Sequence, residues 1–246
     1  MEDRLRLGEV AVSTADALQC TDLYRFFRAG DEETLALRGV SLRVGRGETV
    51  AVAGPSGSGK STLLNCLAGL DEPAGGAVVV GGEQISHRPE SRRARIRSQR
   101  LGILLQSGNL VAHLSVRDNI RLAQAAARRR SANTQDQSHP AGCRSRTPEE
   151  LLDQVGLTSR ATAIPTELSG GELARAGLAV AVSNNPDALL ADEPTGELDG
   201  TTERLVLELI RDRAARGTGV LIVTHSSVVM RIADRVIRLH DGRIVA

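Results

Sequence analysis

Two rhythms of apolar residues alternate along the chain, and they predict different elements. Thr49–Ala53 is a short apolar run with β-branched members and reads as a buried strand. Leu63–Leu70 repeats its apolar residues at helical spacing instead. Residues 35–53, LALRGVSLRVGRGETVAVA, and residues 75–85, GGAVVVGGEQI, break into strand-like runs separated by glycine. They predict an antiparallel β element around the loop that follows Ala53. Leu101–Leu105 reads as another short strand. Residues 118–168 read as helical with a break, because Arg128–Arg146 is polar throughout and reads as a loop. At its end Thr147 can serve as N-cap, Pro148 as the first helical residue and Glu150 as the third member of a capping box. From residue 186 the pattern becomes a strand (ALLAD), a helix over about 200–215, a strand from Gly219 to Thr224 and a short helix. The alternation predicts an α/β fold, a parallel sheet with a helical insertion over about 107–180. Residues 1–19 show no pattern and are expected to form a tail ahead of a domain at 20–246.

Between the first apolar strand and its helix the chain reads GPSGSGKST, residues 54–62. Gly54, Gly57 and Gly59 open backbone conformations closed to other residues and let N–H groups converge on one point. With the free N–H groups of a helix start, such a loop is a concave anion site. Lys60 adds a point charge, and Ser61 adds a hydroxyl able to bind Mg²⁺. The spacing G-x-x-x-x-G-K-[ST] is complete and lies between a strand and a helix, as a phosphate cradle requires.

Three more strand ends carry chemistry. Residues 188–193, ALLADE, put Asp192 and Glu193 at the carboxyl end of an apolar strand, where a parallel sheet binds its ligands. Asp192 there can hold a cation, and Glu193 can deprotonate an attacking water. His225 ends the 219–224 strand, within reach of a γ-phosphate, and Gln106 follows the strand LGILL with an amide able to meet metal or water. Ser169 and Glu172 form a capping box around Gly170 and Gly171. Two glycines in a first turn cost about 1 kcal/mol each against Ala, but they bare N–H groups to a second phosphate contact.

Composition narrows the partners. The 246 residues carry a net charge of +1, so no global field draws the chain to nucleic acid. Tyr24, Phe26 and Phe27 are the only aromatics, too few for a single-strand stacking platform. The basic stretch at 87–100, with Arg88, Arg92, Arg93, Arg95, Arg97 and Arg100, reads as a solvated helix face rather than a nucleic-acid patch. Cys20, Cys66 and Cys143 lack metal or disulfide spacing and read as incidental thiols of a reducing compartment. No apolar stretch approaches the roughly 18 residues of a membrane span, and MEDRLRLGEV is too charged for a signal peptide. The expectation is a protein of the cytoplasm, with any membrane crossing left to another chain.

In chain order GPSGSGKST, Gln106, LSGGE, ALLADEPTGELD and Thr224-His225 resemble the ATP-binding cassette (ABC) ATPases, over about residues 20–246. GVSLRVGRGE, ADEPTGELD and ADRVIRLHDGRIV resemble the branch that serves macrolide exporters, lipoprotein-release transporters and the cell-division pair. The resemblance implies a P-loop NTPase core of RecA-like parallel sheet, an antiparallel β subdomain and an inserted helical subdomain. It implies ATP and Mg²⁺ as ligands. Gly54, Pro55, Ser56, Gly57, Ser58, Gly59, Lys60, Ser61 and Thr62 would form the Walker A loop. Ser61, Gln106 and Asp192 would face Mg²⁺, Glu193 would be the base and His225 the switch histidine. Ser169, Gly170, Gly171 and Asp199 would meet the nucleotide held by a second cassette, identical or paralogous, arranged head to tail. Phe27 sits at the family's offset for stacking adenine.

By the same resemblance the chain powers a separate transmembrane permease from the cytoplasmic side of the membrane, as an exporter or a lipoprotein or peptide extruder. The alternatives are a mechanotransmitting ATPase that signals without transport, and a soluble relative acting on DNA or ribosomes. The last group usually carries coiled coils, tandem cassettes or basic tails, which this sequence lacks. The chain departs from the branch at Leu173, Ala174 and Val180 of the signature helix, at Glu197, and at Ser226 where Asp is frequent. The departures bear on polar contacts along that helix, and Glu193 is intact.

Overall fold

A computed structural model describes residues 16–29, 32–132 and 146–245. Its centre is a six-stranded sheet. β3 (Thr49–Ala53), β6 (Leu101–Leu104), β7 (Ala188–Asp192), β8 (Gly219–Val223) and β9 (Arg235–His240) run parallel, and β10 (Arg243–Val245) closes one edge antiparallel, in the order β10-β9-β3-β8-β7-β6. A parallel sheet is covered on both faces, so its strands are apolar on both sides. Alternation then sorts the side chains. Ala188, Leu190, Leu221 and Val223 join one core with α1 (Lys60–Leu67), while Leu189, Ala191, Val220 and Ile222 join another. Leu63, Leu64 and Leu67 of α1 are fully buried in the first core, worth about 2 kcal/mol each in removed apolar surface.

The first core also takes the inner face of an antiparallel sheet in the order β2-β1-β4-β5, built from β1 (Asp16–Ala29), β2 (Glu32–Gly45), β4 (Gly75–Val80) and β5 (Glu83–Gln84). This is the expected β subdomain, but the tail boundary moves. β1 begins at Asp16, and Ala17 and Leu18 are buried, so four residues assigned to a tail by lack of periodicity are strand. Pairing with β2 on one side and β4 on the other decides them, not local pattern.

The helical insertion packs on the opposite face. It holds α3 (Val116–Ala132), α4 (Pro148–Gln154) and α5 (Gly170–Ala181), and it shares its core with α6 (Gly200–Ala215). Thr147 caps α4 in the predicted capping box. The loop expected from Arg128 starts later, because α3 continues to Ala132. Ala and Arg are strong helix formers, and polarity alone does not end a helix. Residues 133–145, with Cys143, lie outside the described residues.

The basic stretch is also corrected. It forms α2 (Glu90–Arg100), whose arginines are not a bare solvated face. Arg92 and Arg95 bind Glu83, Arg93 binds Glu72 and Glu90, Arg97 binds Glu90, and Arg100 binds Asp187. The acids that neutralise them come mostly from other elements. Cys20 and Cys66 are buried, and burial pushes both thiols up to about 12, which suits packing rather than reactivity.

Candidate active site

The carboxyl ends of β3, β6, β7 and β8 open on one cleft of about 740 Å³. The register explains the convergence: Val52 and Asp192 both pair with Val223, and Leu104 pairs with Ala191. Ser56, Gly57, Lys60, Ser61, Gln106, Asp192, Glu193 and His225 therefore line the same space, from four separate strand ends.

The phosphate loop is held from behind. Gly242 N–H donates to the Ser58 carbonyl (3.0 Å), and Arg38 N–H donates to the Gly242 carbonyl (2.8 Å), so the β9–β10 turn ties the loop to β2. Gly59 has φ +100°, and a Cβ there would sit 2.5 Å from the Ala36 carbonyl, so only glycine fits. Lys60 is buried, and its Nζ donates to the carbonyls of Gly54 (2.8 Å) and Pro55 (2.9 Å). Its ammonium is thus held at the mouth of its own loop.

The acids opposite are set differently. Burial raises the Asp192 carboxyl above its ordinary range; Glu193 beside it adds to the rise, and Lys60 opposes it. Glu193 has φ +44°, a left-handed backbone that costs about 1 kcal/mol or more for a residue with a side chain. Its N–H still donates to the Val223 carbonyl (2.9 Å). One carboxylate oxygen, Oε2, accepts the Thr224 hydroxyl at 3.1 Å. The other, Oε1, is buried without a hydrogen-bond partner and faces His225 Nε2 at 3.7 Å. A buried carboxylate oxygen with a free lone pair in a cleft is placed to take a proton from a bound molecule. Gln106 Nε2 donates to Glu197 Oε1 at 3.3 Å.

No group of three or more His, Cys, Asp or Glu among the described residues could hold a metal unaided. The donor set of one carboxylate (Asp192), one hydroxyl (Ser61) and one amide oxygen (Gln106) still fits Mg²⁺, which binds through one or two carboxylates plus the phosphates of its substrate. The raised Asp192 carboxyl is the supporting observation, since an added cation would relieve it.

Ser169, Gly170, Gly171 and Asp199 line a second recess of about 260 Å³ instead. Ser169 caps α5 and Asp199 caps α6. Asp199 accepts the N–H groups of Thr201 (2.9 Å) and Thr202 (3.1 Å) and the Thr202 hydroxyl (2.7 Å); that hydroxyl, then the two N–H groups, holds its carboxyl below the usual range. Glu172 accepts the Ser169 N–H (2.9 Å) and Arg160 Nε (2.9 Å), and these, in that order, pull it down to about 2. Gly171 meets Thr202 of α6 so closely that a Cβ would overlap the threonine methyl. Of the altered signature-helix positions, Ala174 and Val180 are half-buried and pack against the apolar core.

Phe27 is not among the residues lining the cleft. It is 43 % exposed on β1, with the Arg25 guanidinium 4.8 Å from its ring centre. Its cross-strand partner is Thr34, two residues before the Ala36 carbonyl that meets Gly59. No role in the cleft is read from the sequence for Thr195, Glu203, Thr224 or Ser226, and no strand for β9 or β10. The alternation of apolar Ile237 and Leu239 with polar Arg238 and His240, and the turn pair Asp241-Gly242, are signals for that hairpin.

The ABC transporter family model matches residues 37–196. An uncharacterized ABC transporter ATP-binding protein of Thermotoga maritima is 39% identical over 227 residues, which cover 92% of this chain and 93% of that protein. The macrolide export ATP-binding/permease protein MacB of Burkholderia pseudomallei is 38% identical over 232 residues, covering 94% of this chain but 34% of its own length. Among solved structures, a dimeric post-hydrolysis state of the ATP-binding cassette MJ0796 bound to ADP and Pi superposes with a TM-score of 0.80 and 31% identity, over 93% of this chain and 97% of that one.

Proposed function

Since the chain belongs to the ABC transporter family as an ATP-binding ATPase cassette, we propose that it powers a membrane permease carried on a separate chain, from the cytoplasmic face, for export of a substrate or extrusion of a lipoprotein or peptide. The likeness to MacB, a macrolide export ATP-binding/permease protein, supports the direction. Among the described residues no helix is long and apolar enough to cross a membrane, which agrees with a permease outside them.

The observation that carries the mechanism is the separation of two incomplete sites on one chain. The cleft holds Lys60, Asp192 and Glu193, and the recess holds Ser169 and Gly171. Two copies head to tail would each bring a recess to the other's cleft and enclose two ATP molecules. In each site Lys60 exchanges the carbonyls of Gly54 and Pro55 for β- and γ-phosphate oxygens. Bound Mg²⁺, held by Ser61, Asp192 and Gln106, would neutralise charge on those phosphates. Glu193 Oε1 takes the proton of the attacking water as its oxygen bonds to the γ-phosphorus and the bond to the ADP oxygen breaks. His225 reaches the γ-phosphate. Phe27 extends the site toward the adenine.

The test is to tag the chain in its own cell, extract membranes in mild detergent and identify stoichiometric companions by mass spectrometry. An integral membrane protein with transport activity supports the proposal. A membrane partner coupled to a wall hydrolase without transport replaces it with the mechanotransmitter, and ribosomal or DNA-bound company overturns it.

A further inference from the structure

Glu203 lies in the first turn of α6, where an acid ordinarily serves the helix dipole. Its side chain does something more specific. Oε1 accepts the Thr195 hydroxyl at 3.3 Å and the Ser226 hydroxyl at 3.1 Å. Thr195 stands two residues after Glu193, and Ser226 directly follows His225. We infer that Glu203 is a positioning residue for ATP hydrolysis, tying the loop of the base to the loop of the switch histidine; this rests on the ATPase reading of the cleft.

The hydroxyl protons argue for it. Ser226 has one, and donating it to Glu203 leaves lone pairs for the N–H groups of Val228 (3.2 Å) and Val229 (3.4 Å), which cap α7 (Ser227–Ile232). Thr224 gives its proton to Glu193 Oε2 and accepts the Ser226 N–H at 2.9 Å. The contacts close a ring: Glu193, along the chain to Thr195, then Glu203, Ser226, Thr224 and back to Glu193. Glu193 holds φ +44°, and a strained backbone of that kind persists only where its surroundings over-determine it. The ring anchors both chain neighbours of His225 and leaves Glu193 Oε1 as the free oxygen. It also explains the hydroxyl at Ser226. A carboxylate there would face Glu203, and like charges repel at that distance.

The test compares E203A, E203Q, S226D and S226D in an E203Q background for steady-state ATP hydrolysis and for amide hydrogen exchange. E203A should lower kcat about tenfold with KM for ATP within about twofold, because loop misplacement affects the chemical step more than phosphate binding. It should also speed exchange at Val228 and Val229. E203Q keeps an acceptor and should recover most of the loss. S226D should match the E203A defect, and the E203Q background should relieve it by supplying an amide donor. Wild-type kcat and exchange in E203A, or no relief of S226D by E203Q, overturns the inference. If E203A does not fold, the S226D pair decides. A wild-type chain that neither binds nor hydrolyses ATP overturns the reading of the cleft instead, and exchange at Val228 and Val229 still reports on the ring.

Discussion

The cleft and the recess treat their carboxylates in opposite ways. At the strand ends Asp192 is half-buried and raised, and Glu193 keeps one oxygen without a hydrogen-bond partner. At the helix starts Glu172 and Asp199 are held ionised by N–H groups, hydroxyls and Arg160. On the proposed reading, a cation and phosphates would relieve the unmet charge of the cleft. The acids of the recess find all their partners within one chain. They order the starts of α5 and α6 and so fix Ser169 and the first-turn glycines, whose N–H groups have no carbonyl in their own helix. One region is built to react, the other to present.

The largest effect is expected at Glu193. E193Q keeps the shape of the side chain but removes the base, and should cut hydrolysis by about 10² or more while ATP still drives association. Phosphate release and size-exclusion chromatography with ATP report the two effects, and near-normal turnover would remove Glu193 from its role. Next is the recess. G171A should weaken ATP-driven association, since its methyl meets Thr202, with a steric cost of about 1–3 kcal/mol. Removing the threonine methyl with T202S should restore it, and binding of ATP to the monomer should be unaffected in both.

D192N separates stability from function. The raised Asp192 carboxyl opposes folding above its folded pKa, and wild-type stability recovers as pH falls through that value. The amide should raise Tm at neutral pH by about 2 °C, while Mg²⁺-dependent hydrolysis is lost. A lower Tm would mean the carboxylate is well solvated. The smallest effect belongs to E172Q. The Glu172 carboxyl falls from 4.5 to about 2 on folding, so its contribution is full above pH 4.5 and is lost as pH drops toward about 2. The glutamine can still close the capping box but carries no charge for Arg160, so E172Q should lower Tm slightly at neutral pH, match wild type near about pH 2 and flatten the acid limb of the Tm profile.

Much of the cleft was legible in the sequence, because each of its parts is a local signal. The glycine spacing of residues 54–59, the acids ending ALLAD and the histidine ending the next strand need only strand ends to be read. Glu203 sends no such signal. It is one acid in a helix that also holds Glu208, and what distinguishes it is contact with loops 8 and 23 residues away. The arginines of α2 mislead for the same reason, since their partners Glu72, Glu83 and Asp187 come from other elements.

The strand–loop–helix units, the glycine-rich loop and the capping boxes at Thr147 and Ser169 are legible from local sequence, because they depend on neighbours a few residues apart. The start of β1 at Asp16, the run of α3 to Ala132 and the ring of Thr224, Ser226, Glu203 and Thr195 around the strained Glu193 emerge only from the folded chain. Those outcomes depend on which strands lie side by side and on how far each side chain is removed from water. Both follow from packing the whole chain, and neither is written in any short stretch of it.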